Sequence, residues 1–296
     1  MKVEKIPPGA PHKKQDLLEW LEWGIRELSF LGEGEAREEC EQALEVVFGI
    51  SRSELYLGGI TPRVPLSNFS EWVQARKDRI PSAYLLGQTL FWDETLETEP
   101  GVFIPRPETE ILIEAFLKTS GFSRESAFQF MDWGTGSGNI AVTVARLFPK
   151  AKGVAVDLSE RALKLARRNA EKKGVGQRLH WIRADGLSAF RPATTFDVIV
   201  SNPPYIASGD WEGLQPEVRL EPRTALDGGK EGLDFYRRIF NEVARLKPGG
   251  SLWFEIGWGQ KEAVQRFFEL NRFKAIRSFK DLNQIDRVMR GVKGDG

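Results

Sequence analysis

Hydrophobic residues in the first 85 positions recur with the three- and four-residue spacing of amphipathic helices. The first such segment carries Leu17, Leu18, Leu21, Ile25 and Leu28. We expect the GEGE sequence at 32–35 to break this pattern and a second periodic segment to stop at Gly49. A third segment covers about 68–79, with Ser70 as the expected N-cap. The pattern predicts a small helical domain over residues 1–85.

A different pattern follows these helical segments. Short β-prone pieces occupy about 88–102, which predicts a β-hairpin connector over 86–102. Beyond about residue 125, strands are expected at 127–133, 152–157, 179–185, 196–201 and 251–257, with two further β segments near 273–281 and 286–293. Helices are expected at 139–148, 159–173, 232–246 and 260–270, with Pro248, Gly249 and Gly250 ending the third.

Alternating strands and helices of this kind predict an α/β domain over 103–296, with a parallel sheet covered by helices on both faces. In such sheets, ligands bind beyond the carboxyl ends of the strands, where the strand order reverses. We therefore expect the ligand-binding and catalytic residues in the segments that directly follow the strands.

The first strand–helix turn carries alternating glycines. It reads Gly134, Thr135, Gly136, Ser137 and Gly138. Glycines at this spacing allow a tight turn and a close approach of the backbone to a ligand. A dinucleotide site for hydride transfer favours G-x-G-x-x-G, which needs glycine where this chain has Asn139. We interpret the turn as a site for a ligand without a pyrophosphate, S-adenosylmethionine (SAM).

Acidic residues end the next two strands. Asp157 is placed to accept hydrogen bonds from ribose hydroxyls, and the pair Asp185-Gly186 is expected to contact the adenine. The structural alternative is a tight glycine turn followed by two carboxylates that cap helices.

The strand at 196–201 ends in Asn202, Pro203, Pro204 and Tyr205. Its expected place beside the first strand puts this segment near the methyl group of SAM. A planar nitrogen, either a side-chain amide or a base amine, is a poor nucleophile because its lone pair is delocalised. The Asn202 Oδ1 atom and the Pro203 carbonyl can accept its two hydrogens and direct that lone pair towards the methyl group. Tyr205 offers an aromatic wall for the flat substrate group.

The amino-acid composition limits the classes of protein to which this chain can belong. Lysine plus arginine balance aspartate plus glutamate at 42 each, which does not favour general nucleic-acid binding. One cysteine, Cys40, excludes an internal disulfide, and His12 and His180 lack metal-ligand spacing, so no metal is expected. No apolar run approaches the ~20 residues that span a bilayer, and the N-terminal segment lacks a signal-peptide pattern. We expect a cytoplasmic protein without membrane partners.

Several segments together resemble the HemK/PrmC family of protein-(glutamine) methyltransferases. They are RIPSAYLLGQTLFW (79–92), FIPRPETEILIE (103–114), DWGTGSGNIAV, AVDLSERALKLARRNA, VSNPPYI, EPRTALDGGKEGLDFYRRI (221–239), EIGWGQ (255–260) and KDLNQIDRVM. The resemblance implies a seven-stranded, class I, Rossmann-like SAM-dependent methyltransferase sheet with a small N-terminal helical domain and a β-hairpin connector. It also implies methylation of the glutamine in the GGQ motif of class-I peptide-chain release factors.

The resemblance carries residue roles as well. Gly134 to Gly138, Asp157, Gly186 and Asn202 would contact SAM, with Asn202 and Pro203 also acting in catalysis. The substrate glutamine would bind at Asn202, Pro203, Pro204 and Tyr205, with Phe103 and Arg106 lining the substrate mouth. An ion pair from Arg106 to Glu108 or Glu110 is the alternative. The helical domain over 1–85 would recognise the release factor.

Two other functions remain open at this point. NPPY is shared with adenine-N6 methyltransferases of DNA and RNA, so the same pair of acceptors would fit an exocyclic base amine. A non-catalytic SAM-binding scaffold is the second alternative, although such a chain would be free to lose Asn202.

Overall fold

The computed structural model describes residues 11, 17–57, 64–186, 190 and 195–294. The chain forms two compact units. The first comprises Met1–Gly87 with Pro216–Leu220, and the second comprises Gln88–Gln215 with Glu221–Gly296. The predicted divisions at 85 and 102, with the roles assigned to each part, stay a prediction.

The first unit is helical in its described part. Its helices are α1 (Leu17–Glu27), α2 (Glu33–Phe48), α3 (Arg52–Leu57), α4 (Ser67–Lys77) and α5 (Ser82–Leu86). Aromatic rings from α1 and α4 form its core: Trp20 and Trp23 each meet Phe69 edge to face, and Phe69 stacks on Trp72 at 5.6 Å. Such ring pairs add to the stabilisation from the apolar area they bury.

Two predictions about this unit are wrong in detail. Only Gly32 interrupts the helical segments, since α2 already begins at Glu33 and contains the rest of the GEGE sequence. Ser70 lies inside α4 rather than at its N-cap, and its hydroxyl donates to the Ser67 carbonyl at 2.9 Å. A serine can make this bond one turn back within a helix, so its presence does not fix where a helix begins. Gly49 ends α2 in the left-handed conformation, as expected.

The second unit begins with the predicted hairpin, formed by β1 (Gln88–Phe91) and β2 (Glu94–Glu97). Seven further strands form one sheet: β3 (Gln129–Trp133), β4 (Lys152–Asp157), β5 (Leu179–Arg183), β6 (Phe196–Ser201), β7 (Leu246–Glu255), β8 (Phe273–Lys280) and β9 (Asp286–Lys293). The helices are α6 (Glu110–Thr119), α7 (Asn139–Leu147), α8 (Glu160–Lys172), α9 (Asp234–Asn241) and α10 (Lys261–Leu270).

The strand order is β5-β4-β3-β6-β7-β9-β8, and β3 pairs in parallel with both β4 and β6. The order therefore reverses at β3, and a crevice opens beyond the carboxyl ends of β3 and β6. The fully parallel sheet predicted from the alternation is wrong at one end, because β9 is antiparallel to both β7 and β8. A short turn joins β8 to β9, so no crossover helix can make them parallel.

Successive side chains of the central strands enter two separate cores. Phe130 belongs to the core that includes residues of α6 and α7, whereas Met131 belongs to the core that includes residues of α9 and α10. Because strand side chains alternate between faces, this division means that helices cover both faces of the sheet.

One helix is shorter than predicted. The sequence pattern extends it to residue 246 with the Pro-Gly-Gly sequence as its end, but α9 ends at Asn241. Pro248, Gly249 and Gly250 lie within β7, where the pairing with β6 is irregular between Phe196 and Val198. Proline and glycine are tolerated in a strand where the ladder is irregular.

We predict that Gly153→Ala destabilises the second unit by about 1–3 kcal/mol because it overpacks β4. A Cβ atom there would lie 2.4 Å from Phe130 Cζ and 2.6 Å from Leu179 Cδ2. Urea unfolding of the full chain measures the shift. Gly213→Ala is the matched control, since its added Cβ would meet nothing within 4 Å. Equal unfolding midpoints for the two variants would contradict the packing argument.

Candidate active site

A cavity of about 210 Å³ lies beyond the carboxyl ends of the parallel strands. Its lining includes residues that follow β3, β4, β5 and β6. Those predicted from the sequence are Phe103, Gly134, Thr135, Gly136, Asp157, Asp185, Gly186, Asn202, Pro203 and Pro204. The fold thus brings most of the predicted site residues around one concave surface. Ser137, Gly138, Tyr205 and Arg106 were also predicted, and they are not among the lining residues.

The glycine loop, residues 134–138, has positive φ at its three glycines: +76° at Gly134, +55° at Gly136 and +85° at Gly138. A Cβ at Gly138 would also lie 2.9 Å from the Cβ of Ala166 in α8. Glycine at 138 is therefore needed for helix packing as well as for the turn. At Gly134 and Gly136 a Cβ would meet no protein atom within 4 Å, which leaves room for a ligand against the backbone.

Asp132, the penultimate residue of β3, holds the glycine loop in shape through hydrogen bonds. Its Oδ2 accepts from the Thr135 hydroxyl at 2.7 Å and from the Ala141 N–H at 3.1 Å. Burial raises the pKa of Asp132 to about 7. This residue was missed in the sequence-based prediction, although an acid just before a glycine turn is a signal that the pattern contains.

Asn169 on α8 is a second residue that the sequence-based prediction missed. Its Nδ2 donates to the Ser137 carbonyl at 2.9 Å and to the Glu97 carbonyl at 3.1 Å. Its Oδ1 accepts from the Glu97 N–H at 2.7 Å. One buried amide thus connects the glycine loop to strand β2 of the hairpin. No sequence spacing indicates this role, since the partners are distant along the chain.

Asp157 ends β4 with its carboxylate at the cavity. Its Oδ2 accepts from the Gly136 N–H at 2.9 Å, and its Oδ1 accepts from the Ser159 N–H at 2.8 Å. Burial raises the pKa of Asp157 above its usual value. Each carboxylate oxygen can accept a further hydrogen bond. The side chain is therefore held by the loop and keeps acceptor capacity towards the cavity.

The Asp185-Gly186 pair also lines the cavity and contacts side chains of Arg238 on α9 and of Glu242 just after it. Asp185 Oδ1 is 2.5 Å from an Arg238 nitrogen. A Cβ at Gly186 would lie 2.7 Å from a carboxylate oxygen of Glu242, and its φ is +81°. These contacts explain why glycine follows the acid in this chain.

The shape of this cavity and its carboxylate acceptor fit SAM. A Cβ at Gly134 or Gly136 would meet open space, and the Asp157 carboxylate lies next to these glycines as an acceptor for hydroxyl groups. Asp157 would hold the ribose, and the glycine loop would lie against the methionyl part.

The NPPY loop, residues 202–205, begins where β6 ends beside β3. The Ser201 hydroxyl donates to the Trp133 carbonyl at 2.6 Å and joins the ends of these two strands. The Tyr205 carbonyl accepts from Gln260 Nε2 at 2.9 Å. A Cβ at Gly232 would lie 2.3 Å from the same carbonyl oxygen. Residues of the EPRTALDGGKEG segment therefore pack directly against the loop.

A buried carboxylate lies behind the NPPY loop. Glu255, at the end of β7, accepts from the Thr109 hydroxyl at 2.6 Å and from the Tyr205 hydroxyl at 3.1 Å. Thr109 in turn accepts from Asn202 Nδ2 at 3.0 Å. Burial raises the pKa of Glu255 to about 7. Tyr205 thus contacts the carboxylate through its hydroxyl, a contact that the predicted role as an aromatic wall does not include.

Phe103 and Arg106, predicted to line the substrate mouth, contact each other. The Arg106 guanidinium lies 4.9 Å from the Phe103 ring centroid, and Phe103 lines the cavity. Arg106 makes its ion pair with the buried Glu221. Neither of the two glutamates considered as alternatives, Glu108 and Glu110, is that partner. Glu221 also accepts from the Ile104 N–H at 3.0 Å, which connects the FIPRPE and EPRTAL segments.

The sheet order, the glycine loop and the acid at the end of β4 define a class I, SAM-dependent methyltransferase. Residues 93–214 match the Methyltransferase small domain family, and residues 19–87 match the PrmC N-terminal domain family. A methyltransferase from Pyrococcus furiosus has a similar fold, with a TM-score of 0.51 and 21% identity over 78% of this chain and all of that one.

Closer relatives identify the family. A release factor glutamine methyltransferase of Geobacter sulfurreducens is 41% identical over 93% of this chain and 95% of its own length. One of Caulobacter vibrioides is 38% identical over 84% of this chain and 87% of its own. The chain belongs to the release factor glutamine methyltransferase family.

Among the described residues, no helix is both long and apolar enough to cross a membrane. In the same part of the chain, no group of three or more histidine, cysteine, aspartate or glutamate side chains is arranged to hold a metal ion.

We predict that Asp157→Ala weakens SAM binding by about 10- to 100-fold, since the site loses a charged hydrogen-bond acceptor. Isothermal titration calorimetry measures the affinity. The control is Asp93→Ala. This change removes an exposed carboxylate in the turn of the hairpin, where it pairs with Arg146 of α7. A change of less than about twofold in the Asp157 variant would refute the assignment of this side chain to the cofactor.

Proposed function

We propose that this enzyme transfers a methyl group from SAM to the side-chain amide nitrogen of the GGQ glutamine in a class-I peptide-chain release factor. The proposal is supported most directly by two carbonyl oxygens at one edge of the cavity, those of Asn202 and Pro203. In the described part of the chain, no hydrogen-bond donor is placed on Asn202 Oδ1 or on the Pro203 carbonyl. Two acceptors without protein donors match a ligand group with two hydrogens.

The chemistry requires positioning more than acid–base catalysis. When bound, SAM supplies an electrophilic methyl group. Asn202 Oδ1 and the Pro203 carbonyl hold the two amide hydrogens, which fixes the plane of the amide and places its lone pair towards the methyl carbon. They also stabilise the positive charge that develops on nitrogen as the new N–C bond forms and the S–C bond breaks. The product nitrogen is acidic and then loses a proton to water.

The loop is suited to this role because it is stiff. Pro203 and Pro204 have fixed φ angles and lack N–H groups, so neither competes for a carbonyl acceptor. Gln260 and the close approach of Gly232 hold the other end of the loop at the Tyr205 carbonyl. A fixed pair of acceptors loses little entropy when the substrate binds.

The first unit would provide the second contact with the release factor. A glutamine on a three-residue motif offers too little surface to select one partner among many proteins. A chain without residues 1–87 is therefore expected to lose most release-factor methylation while it keeps its SAM affinity. If SAM affinity falls equally, the deletion has damaged the sheet, and if methylation is unchanged, the first unit has no role in recognition.

The function is tested with SAM that carries a labelled methyl group. We expect label on a purified bacterial class-I release factor and none on the same factor with GGQ changed to GGE. Adenine-containing DNA and RNA are the second substrate class, because an exocyclic amine also presents two hydrogens to the NPPY loop. Label on nucleic acid alone would overturn the proposal, and so would label on the GGE factor.

Asn202→Ala is the chemical control in the same assay. It should lower methyl transfer by about 100-fold or more, while SAM affinity stays within a few-fold of the unchanged protein. A variant with nearly full turnover would contradict the role of the amide oxygen. Such a result would also leave Pro203 as the remaining proposed acceptor.

A further inference from the structure

The asparagine at position 202 can perform the proposed role in only one of its two orientations. Rotation of the side-chain amide by 180° exchanges Oδ1 with Nδ2, and the two orientations have nearly the same shape. In the wrong orientation, the Asn202 NH2 group would face the NH2 group of the substrate. A productive site therefore needs a neighbouring group that holds the Asn202 amide in the correct orientation.

Thr109 contacts the asparagine on the side away from the cavity. Thr109 is fully buried, and its Oγ1 lies 3.0 Å from Asn202 Nδ2 and 2.6 Å from Glu255 Oε2. It ends the short 3-10 helix Pro107–Thr109, directly before α6. Glu255 is 1% exposed at the end of β7. The 3-10 helix, the NPPY loop and the end of β7 thus meet at the Thr109 hydroxyl group.

The direction of these hydrogen bonds follows from the number of hydrogens. An ionised carboxylate only accepts, so the single hydrogen of the Thr109 hydroxyl is donated to Glu255. The oxygen of Thr109 can then only accept from its other neighbour. Nδ2 of Asn202 must face Thr109, and Oδ1 must face the cavity.

We propose that Thr109 and Glu255 are positioning residues that set the orientation of the Asn202 amide for methyl transfer. This inference rests on the proposed function. Neither residue needs to touch the substrate, since both act through Asn202. A glutamate at 255 specifies a direction that a neutral residue does not, because only the carboxylate lacks a hydrogen to donate.

The surroundings of Glu255 support this role and predict a pH dependence. Tyr205 donates to its second oxygen, and the Tyr236 hydroxyl donates to its backbone carbonyl. Burial has the largest effect on the pKa of Glu255 and raises it to about 7, against the lowering effect of the hydrogen bonds from Thr109 and Tyr205. The charge of Glu108 raises this pKa and that of Arg287 on β9 lowers it, both to a smaller extent. Below that pH the carboxyl carries a hydrogen of its own and no longer forces the Thr109 hydroxyl to donate. Turnover should therefore rise with pH through about 7.

The kinetic test compares Thr109→Val with Thr109→Ser in the full chain, with release factor as substrate and SAM saturating. We expect kcat to fall about 10- to 100-fold in the valine variant and to stay within about threefold in the serine variant, which keeps the hydroxyl. SAM affinity should stay within about twofold. The valine variant should lose some stability, because the buried Glu255 loses a donor, but it should remain folded at the assay temperature. The matched control is Thr119→Val at the other end of α6, where the hydroxyl donates only to the Ala115 carbonyl at 2.8 Å.

A double-mutant cycle separates positioning from a general packing effect. If Thr109 acts only through Asn202, then Thr109→Val should change kcat by less than about twofold in the Asn202→Ala background. A loss in that background equal to the loss in the unchanged protein would overturn the proposal. So would a valine variant with full turnover, or valine and serine variants that are equally impaired.

Glu255→Gln tests the carboxylate and remains informative if Thr109→Val does not fold. Glutamine can donate to Thr109 and allow the inverted Asn202 orientation, so kcat should fall and lose its rise with pH between about 6 and 8. A glutamine variant with unchanged kcat and the same rise would overturn the role of Glu255. If the unchanged protein methylates no release factor at all, the proposed function fails rather than this inference.

Discussion

The parallel pairing of β3 with β6 is the interaction on which the site depends. Strands β4 and β5 and helices α7 and α8 lie between them in the chain, yet residues 130–132 pair directly with residues 198–200. Because parallel strands end at the same edge, the glycine loop and the NPPY loop start side by side. The Ser201 hydroxyl bond to the Trp133 carbonyl fixes the two ends to each other. A methyl donor bound at the glycine loop would therefore lie next to the acceptors that we propose in the NPPY loop.

The same edge contains two buried acids, Asp132 and Glu255. Burial of a carboxylate is unfavourable unless it is hydrogen-bonded, so each acid requires fixed donors around it. Asp132 takes its donors from the glycine loop and from the first turn of α7, and Glu255 takes them from Thr109 and Tyr205. These hydrogen bonds tie the glycine loop to β3 and the NPPY loop to β7. Stability and site geometry are linked here because the same hydrogen bonds serve both.

Much of this architecture could be predicted from the sequence, because it depends on local periodicity and local turns. Strand β4, helix α8 and the glycine loop all follow from patterns within a few residues. Features that depend on distant partners could not be predicted in this way. The ion pair of Arg106 with Glu221 joins segments 115 residues apart, and the bond of Thr109 to Glu255 spans 146 residues. The antiparallel β9 and the early end of α9 were missed for a related reason, since sheet pairing overrides helical spacing.

The central claim is that Asn202 and Pro203 present two acceptors to a planar amide beside a methyl donor. A crystal structure with S-adenosylhomocysteine and a GGQ peptide tests it most directly. We expect the glutamine amide nitrogen to lie about 3 Å from both Asn202 Oδ1 and the Pro203 carbonyl oxygen. Asn202 Nδ2 should still donate a hydrogen bond to the Thr109 hydroxyl oxygen. A glutamine whose carbonyl oxygen, rather than its nitrogen, faces these two residues would contradict the claim.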